Sequence, residues 1–105
     1  MNEQLAIYQV LELTGLPCAY SHFKGRQTIE PPYIVYIGDG QTNFKADNTY
    51  YFGHNNYQIE YYFKEKNPYL EAEIERILLD NGYRYDKSED IYLEDEDVFL
   101  IYYYV

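Results

Sequence analysis

Tryptophan is absent from this 105-residue chain, and cysteine and methionine occur once each. The lone thiol, Cys18, excludes an internal disulfide and fits a reducing compartment. It reads as a small buried hydrophobe rather than a nucleophile. Histidine is nearly as scarce: His22, His54 and Cys18 are the whole stock of imidazole and thiol groups, and their spacing matches no zinc pattern. Bases are the next shortage, with 8 Lys and Arg against 18 Asp and Glu and a net charge of -10. Phosphate neutralisation needs clustered Lys and Arg, so a broad nucleic-acid-binding surface is not expected. No apolar run reaches membrane-spanning length and no basic-then-apolar leader is present, so a soluble chain is expected. The patterns GxSxG, HExxH, DxDxDG and GxxxxGKS/T do not occur, and the residues point to no catalysis, metal or cofactor.

What is abundant is tyrosine, at 16 residues. Its ring supplies contact area at low entropic cost and its hydroxyl tolerates water, which suits strands and surfaces that meet partners. The acids are unevenly placed. Residues 1–50 hold five acids and three bases, whereas residues 51–105 hold thirteen acids and five bases. Seven of the 18 acids lie between Asp86 and Asp97.

The clearest local pattern runs strand, helix, strand over residues 56–88. Tyr57, Ile59, Tyr61 and Phe63 alternate with Gln58, Glu60 and Tyr62, the period of a half-buried strand. Asn67-Pro68 then caps and opens a helix whose apolar stripe is Leu70, Ile74, Ile77 and Leu78. Glu71 and Glu73 fall near its positive end, and Asn81-Gly82 supplies a left-handed stop. Tyr83 to Lys87 reads as the second strand. Ala72 and Leu79 sit opposite the stripe, either as incidental exposed residues or as contacts for a neighbouring subunit.

Upstream, Asn2 opens a helix to about Thr14 with Ala6, Ile7, Val10 and Leu13 turned inward. Cys18 to Phe23 alternates as a short strand. Lys24 to Pro32 is a loop with one basic spot at Lys24 and Arg26. Tyr33 to Ile37 is apolar on both faces and reads as a central strand. Phe44–Phe52 and Tyr57–Lys64 form a hairpin turned at residues 53–56. Downstream, Glu89 to Asp97 is an acidic loop holding Glu89, Asp90, Glu94, Asp95, Glu96 and Asp97. Val98 to Val105 has no polar face, so it is either central in a sheet or covered by another subunit. Tyr102, Tyr103 and Tyr104 are then candidate subunit contacts. Together these elements predict one α+β domain, residues 1–105, with a core of Ile7, Val10, Leu13, Val35, Ile59, Tyr61, Ile74, Ile77 and Leu78.

Ala46-Asp47-Asn48, Tyr57-Gln58-Ile59-Glu60, Leu70-Glu71, Ile74-Glu75, and Tyr85 with Lys87-Ser88-Glu89 form an ordered series. In these residues the chain resembles small tail-completion, or tail-terminator, proteins of long-tailed bacteriophages and prophages of Gram-positive bacteria. The resemblance covers a little over half the chain. It implies two helices packed on one face of a mainly antiparallel, four- to six-stranded sheet. It also implies a homo-oligomeric ring, commonly of six subunits, that caps the tail tube and meets the head connector. Its place is the virion tail, and the host cytoplasm during assembly, with no membrane and no cofactor. DNA passes through the lumen of such a ring without specific binding, and the acidic loop would face that channel or an adjoining ring. Two other readings remain open: a small acidic DNA mimic that inhibits a host nucleic-acid-binding protein, and a bacterial binding module.

Overall fold

Asn67 and Gly82 bracket the longest helix among the described residues as their chemistry predicts. The structure is a computed structural model and describes residues 6–23, 29–38 and 56–105. In it, the Asn67 side chain accepts a hydrogen bond from the Leu70 N–H at 3.2 Å, and Pro68 opens helix α2, Pro68–Asp80. At the other end Gly82 takes a φ of 88°. The N–H groups of Gly82 and Tyr83 then reach back to the carbonyls of Leu79 and Leu78 at 3.0 and 2.9 Å. That closes the helix with its last carbonyls satisfied. The remaining elements are α1 (Ile7–Glu12), β1 (Cys18–Tyr20), β2 (Tyr33–Gly38), β3 (Tyr57–Phe63), β4 (Asp86–Lys87), β5 (Ile91–Leu93) and β6 (Val98–Tyr104).

The class is α+β: the described residues form two helices and a six-stranded, mostly antiparallel open sheet. Its order is β1-β2-β3-β6, with β4 and β5 both on the outer side of β6. β4 pairs at Tyr103 and Tyr104, and β5 at Val98 to Leu100. β1 and β2 are parallel, and the other pairings are antiparallel. Between its two expected positions, the strand without a polar side is therefore interior. β6 has hydrogen-bonded neighbours on both edges.

Register divides the sheet's side chains between two faces. Ile34, Tyr61 and Ile101 stand in one cross-strand row, and Ile59 lies beside Tyr103 in the next. These join Ile7, Val10 and Leu11 of α1 and Ile74, Ile77 and Leu78 of α2 in one buried cluster. The opposite face carries the rows Tyr33–Tyr62–Leu100, Val35–Glu60–Tyr102 and Ile37–Gln58–Tyr104. No helix among the described residues is long and apolar enough to cross a membrane.

Several expectations need correction. Leu13 is 56% exposed rather than core. The helix ends at Glu12, so the stripe falls on Ile7, Val10 and Leu11, and Leu13 serves as the C-cap. Val35 is buried, but on the face opposite the main cluster, in the row of Glu60. β1 stops at Tyr20 because Ser21 turns to a φ of 68°. The strand expected over Tyr83–Lys87 shrinks to Asp86–Lys87, since Tyr83 is still engaged in closing α2. The acidic loop contains a strand: Ile91–Leu93 pairs with β6, and the connection narrows to Glu94–Asp97. There the Leu93 carbonyl accepts from the Glu96 and Asp97 N–H groups, with Asp97 at a φ of 55°. Asp tolerates that left-handed position better than most residues. The first helix begins at Ile7, where Ala6 is its exposed, extended N-cap rather than part of the buried arc. Asn2, Lys24, Arg26, Phe44–Phe52, Ala46–Asn48 and His54 lie outside the described residues.

Leu78 and Leu79 differ sharply in exposure, one fully buried and the other 54% exposed. Leu78→Ala should cost about 2–5 kcal/mol of folding stability. Leu79→Ala should stay within about 0.5 kcal/mol. Denaturant unfolding of the two variants measures both, and equal losses would reverse the assigned helix face.

Candidate functional site

Two carboxylates on the flank of α2, Glu71 and Glu75, are one turn apart and meet lysines from two other segments. Glu71 is buried, although its place in the first turn suits a helix-dipole role as well. Its Oε1 accepts from Lys66 at 3.0 Å and from Lys87 at 3.1 Å. Its Oε2 lies 2.8 Å from Lys66 Nζ, close enough to pair electrostatically, yet has no hydrogen bond of its own. Lys87 also pairs with Glu75 at 2.7 Å, and Lys66 with Asp90 at 3.1 Å. The hydroxyls of Tyr103 and Tyr85 donate to Glu75 at 2.7 and 3.3 Å. The network thus ties α2 to β4, to β6 and to the segment before β5. Burial pushes the Glu75 pKa up, but the hydrogen bonds from Lys87 and Tyr103 outweigh it and hold it below the usual value. Burial, then the bond to Glu75, pushes Tyr103 far up.

The opposite face of the sheet is aromatic with a carboxylate at its centre. Glu60, in the middle of β3, accepts from the Tyr62 hydroxyl at 2.7 Å and from Gln58 Nε2 at 3.0 Å. Tyr33 and Tyr62 stack with centroids 4.9 Å apart, and Phe23 meets Tyr33 edge-on at 5.4 Å. Along β6, Tyr102 and Tyr104 stack at 5.8 Å. A groove of about 520 Å³ opens here, with Tyr33, Tyr62 and Glu60 in its floor and Glu30, Lys64 and Glu96 among its lining. Burial, and after it the bond to Glu60, raises the Tyr62 pKa.

The candidate residues from the sequence scatter across the molecule. Glu94, Asp95, Glu96 and Asp97 are exposed in the β5–β6 turn, where Asp97 accepts from the Tyr92 hydroxyl at 2.7 Å. Glu89 is exposed nearby, and Asp90 is engaged by Lys66. Ala72 and Leu79 lie on the outer side of α2, beside Arg76, which bridges Glu73 and Asp80 at 2.7 Å each. Tyr104 is exposed and Tyr102 half-buried, both on the face with Glu60. Tyr103 is the correction: it is fully buried against Glu75, so it is not available at the surface for another subunit. A strand that is apolar on both sides gives no sign of which residues face a helix. Tyr69, 88% exposed at the start of α2, is a further surface aromatic that the apolar-stripe pattern does not single out. Among the described residues no group of three or more His, Cys, Asp or Glu side chains is placed to hold a metal ion.

Compared with protein-family models, with curated proteins and with solved structures, the chain finds no match in any of the three.

Two measurements probe the inner network. Tyr103→Phe removes a largely buried hydrogen bond to a charged acceptor and should cost about 1.5–3 kcal/mol. Stability should also fall at both ends of the pH scale. The Glu75 pKa is lowered on folding, so its contribution is present above its ordinary 4.5 and disappears as pH drops below that value. Tyr61 is pushed up to about 12 by burial and then by the Glu71 charge, and Tyr103 is raised too. Their contribution is complete below the ordinary tyrosine value of 10.0 and is lost as pH rises beyond it. Alkaline unfolding should therefore coincide with a rise in tyrosinate absorbance; titration of all tyrosines near 10.0 in a chain that stays folded would refute this.

Proposed function

We propose that this chain is a non-enzymatic structural protein of a long-tailed bacteriophage or prophage, a tail-completion or terminator subunit. In this reading it forms a homo-oligomeric ring at the head-proximal end of the tail tube, between tube and head connector. The reading has the two described helices covering one face of the sheet. One observation supports the reading above the rest: four of the described residues that carry the resemblance meet in space. Glu71, Glu75, Tyr85 and Lys87 are members of one network. Next to it the Ser88 hydroxyl oxygen accepts from the Tyr102 N–H at 2.9 Å. Tyr57 to Glu60 begins β3, in the centre of the sheet. A resemblance that marked only scattered surface positions would lack such a common structural purpose.

The charges fit a role beside DNA without gripping it. Glu94, Asp95 and Glu96 make no ion pair with a described residue and project from one end of the sheet. Such a turn facing a lumen repels phosphate and leaves the passing duplex unbound. A DNA mimic would instead need its carboxylates spaced along the surface like phosphates. Here Glu71, Glu75 and Asp90 are occupied by Lys66 and Lys87, which takes them out of any such array.

Packing subunits of net charge -10 side by side costs repulsion, so ring formation should strengthen as salt screens it. Native mass measurement across ionic strength checks that. The test in the virion joins Glu94→Lys, Asp95→Lys and Glu96→Lys, leaving Asp97 to hold its turn. Folded protein with defective tail–head joining or impaired DNA exit is the expected result. Normal infectious particles from that variant would remove the role given to the turn, and normal particles after deleting the gene would remove the tail assignment itself.

A further inference from the structure

The sheet face opposite the helix-packed core holds a carboxylate that no cation among the described residues pairs with. Glu60 stands mid-strand on β3, half-buried between Val35 and Tyr102 in its cross-strand row. Its two hydrogen bonds come from neutral donors, the Tyr62 hydroxyl and the Gln58 amide. Among the described residues no lysine, arginine or histidine pairs with it. Lys64 lines the same groove but forms no ion pair with a described residue, while Glu30 and Glu96 add two further carboxylates to the lining.

We infer that this groove receives an arginine side chain presented by a partner protein, with Glu60 as its anchor and the Tyr33–Tyr62 pair as its aromatic wall. Each Glu60 oxygen accepts one hydrogen bond and keeps acceptor capacity for another. The Gln58 and Tyr62 donors meanwhile fix the carboxylate's direction. A guanidinium presents parallel N–H groups to two such oxygens and also stacks on a tyrosine ring. Lysine would satisfy the charge but neither the paired geometry nor the stack as well. Other occupants fit worse. Nucleic acid or an acidic peptide would bring like charge to Glu30, Glu60 and Glu96. A purely apolar segment would strip water from Glu60 with nothing in return. The inference depends on the geometry of the sheet and not on a tail role, and it stands whichever way that role is decided.

The probe is a capped peptide carrying two arginines between glycines and serines, titrated into the full chain at physiological salt and followed by amide chemical shifts. Matched peptides carry lysine or citrulline, the neutral analogue of arginine, in place of arginine. The largest shifts should fall on Tyr33, Glu60 and Tyr62, with the arginine peptide tightest and the citrulline peptide silent. Glu60→Gln should weaken arginine-peptide binding about tenfold or more, as removal of one partner of a hydrogen-bonded charge pair does. Asp95→Asn removes the same charge from the outer turn and should change binding by less than about twofold, as rim charges do. Equal losses from the two variants, or shifts spread over the acidic turn and α2, would show general attraction to an acidic protein and overturn the inference. So would tighter binding by a Lys24→Ala, Arg26→Ala double variant, since the chain's own bases would then be competing for the groove. Should Glu60→Gln prove less stable than the parent, the arginine–citrulline comparison decides the matter on the unaltered protein.

Discussion

The pairing of β3 with β6 holds the rest of the molecule in place. Gln58–Phe63 runs against Phe99–Tyr104 without a break. β2 attaches to β3, β4 and β5 attach to β6, and β1 joins through β2. β6 is bounded on both edges by strands, and four of its seven residues are buried. A charged side chain in such a position would lose its water without a partner, which accounts for the run Val98 to Tyr104 containing none. What polar chemistry the strand does bury is a single phenol, Tyr103. That hydroxyl is tied to Glu75, and through Glu75 to Lys87. The same strand therefore sets the sheet order and anchors the long helix.

The two faces of the sheet are used differently. On one, Ile34, Ile59, Tyr61, Ile101 and Tyr103 share a buried cluster with apolar side chains of α1 and α2, and an ion network lies beside it. Replacing a single member of that network would strand the others, because Glu71 has little solvent to fall back on. The other face is a tiling of tyrosines around Glu60, with side chains packed on one another rather than under a described helix. Tyrosine suits both settings, since its ring fills a core and its hydroxyl tolerates a wet margin. Its abundance alone could not have told them apart.

What was legible in the sequence was local. The caps of α2 and the alternation of β3 each follow from residues a few positions apart, and both stand in the structure. The misplaced residues depend on distant ones. Leu13 and Leu11 exchange roles because the helix ends one residue before Leu13, and the apolar content of that segment permits more than one inward arc. Ile91–Leu93 was hidden between acids, although its own pattern of two aliphatics around Tyr92 was a usable strand signal. The Glu71–Lys87 contact spans sixteen positions, and only the fold brings the two together. A clue to it was present in Glu71 and Glu75, spaced like the inward Ile74 and Leu78 and lying between the inner and outer sides of the helix.

The position of β6 also imposes an order in time. A ribosome delivers β1, β2 and β3 first, and β3 then has β2 on one edge and nothing on the other. Until Val98–Tyr104 is made, some seconds later at ordinary elongation rates of about 5–20 residues per second, that second edge is a template for any extended chain. α2 is synthesised in the interval, yet the phenol that anchors it has not emerged. Nascent chains of this protein thus carry an unsealed, aromatic β-edge from the completion of β3 at Phe63 until β6 begins at Val98. Crowding them on one message would favour misassociation between copies, and prompt completion of the sheet is what protects each from its neighbours.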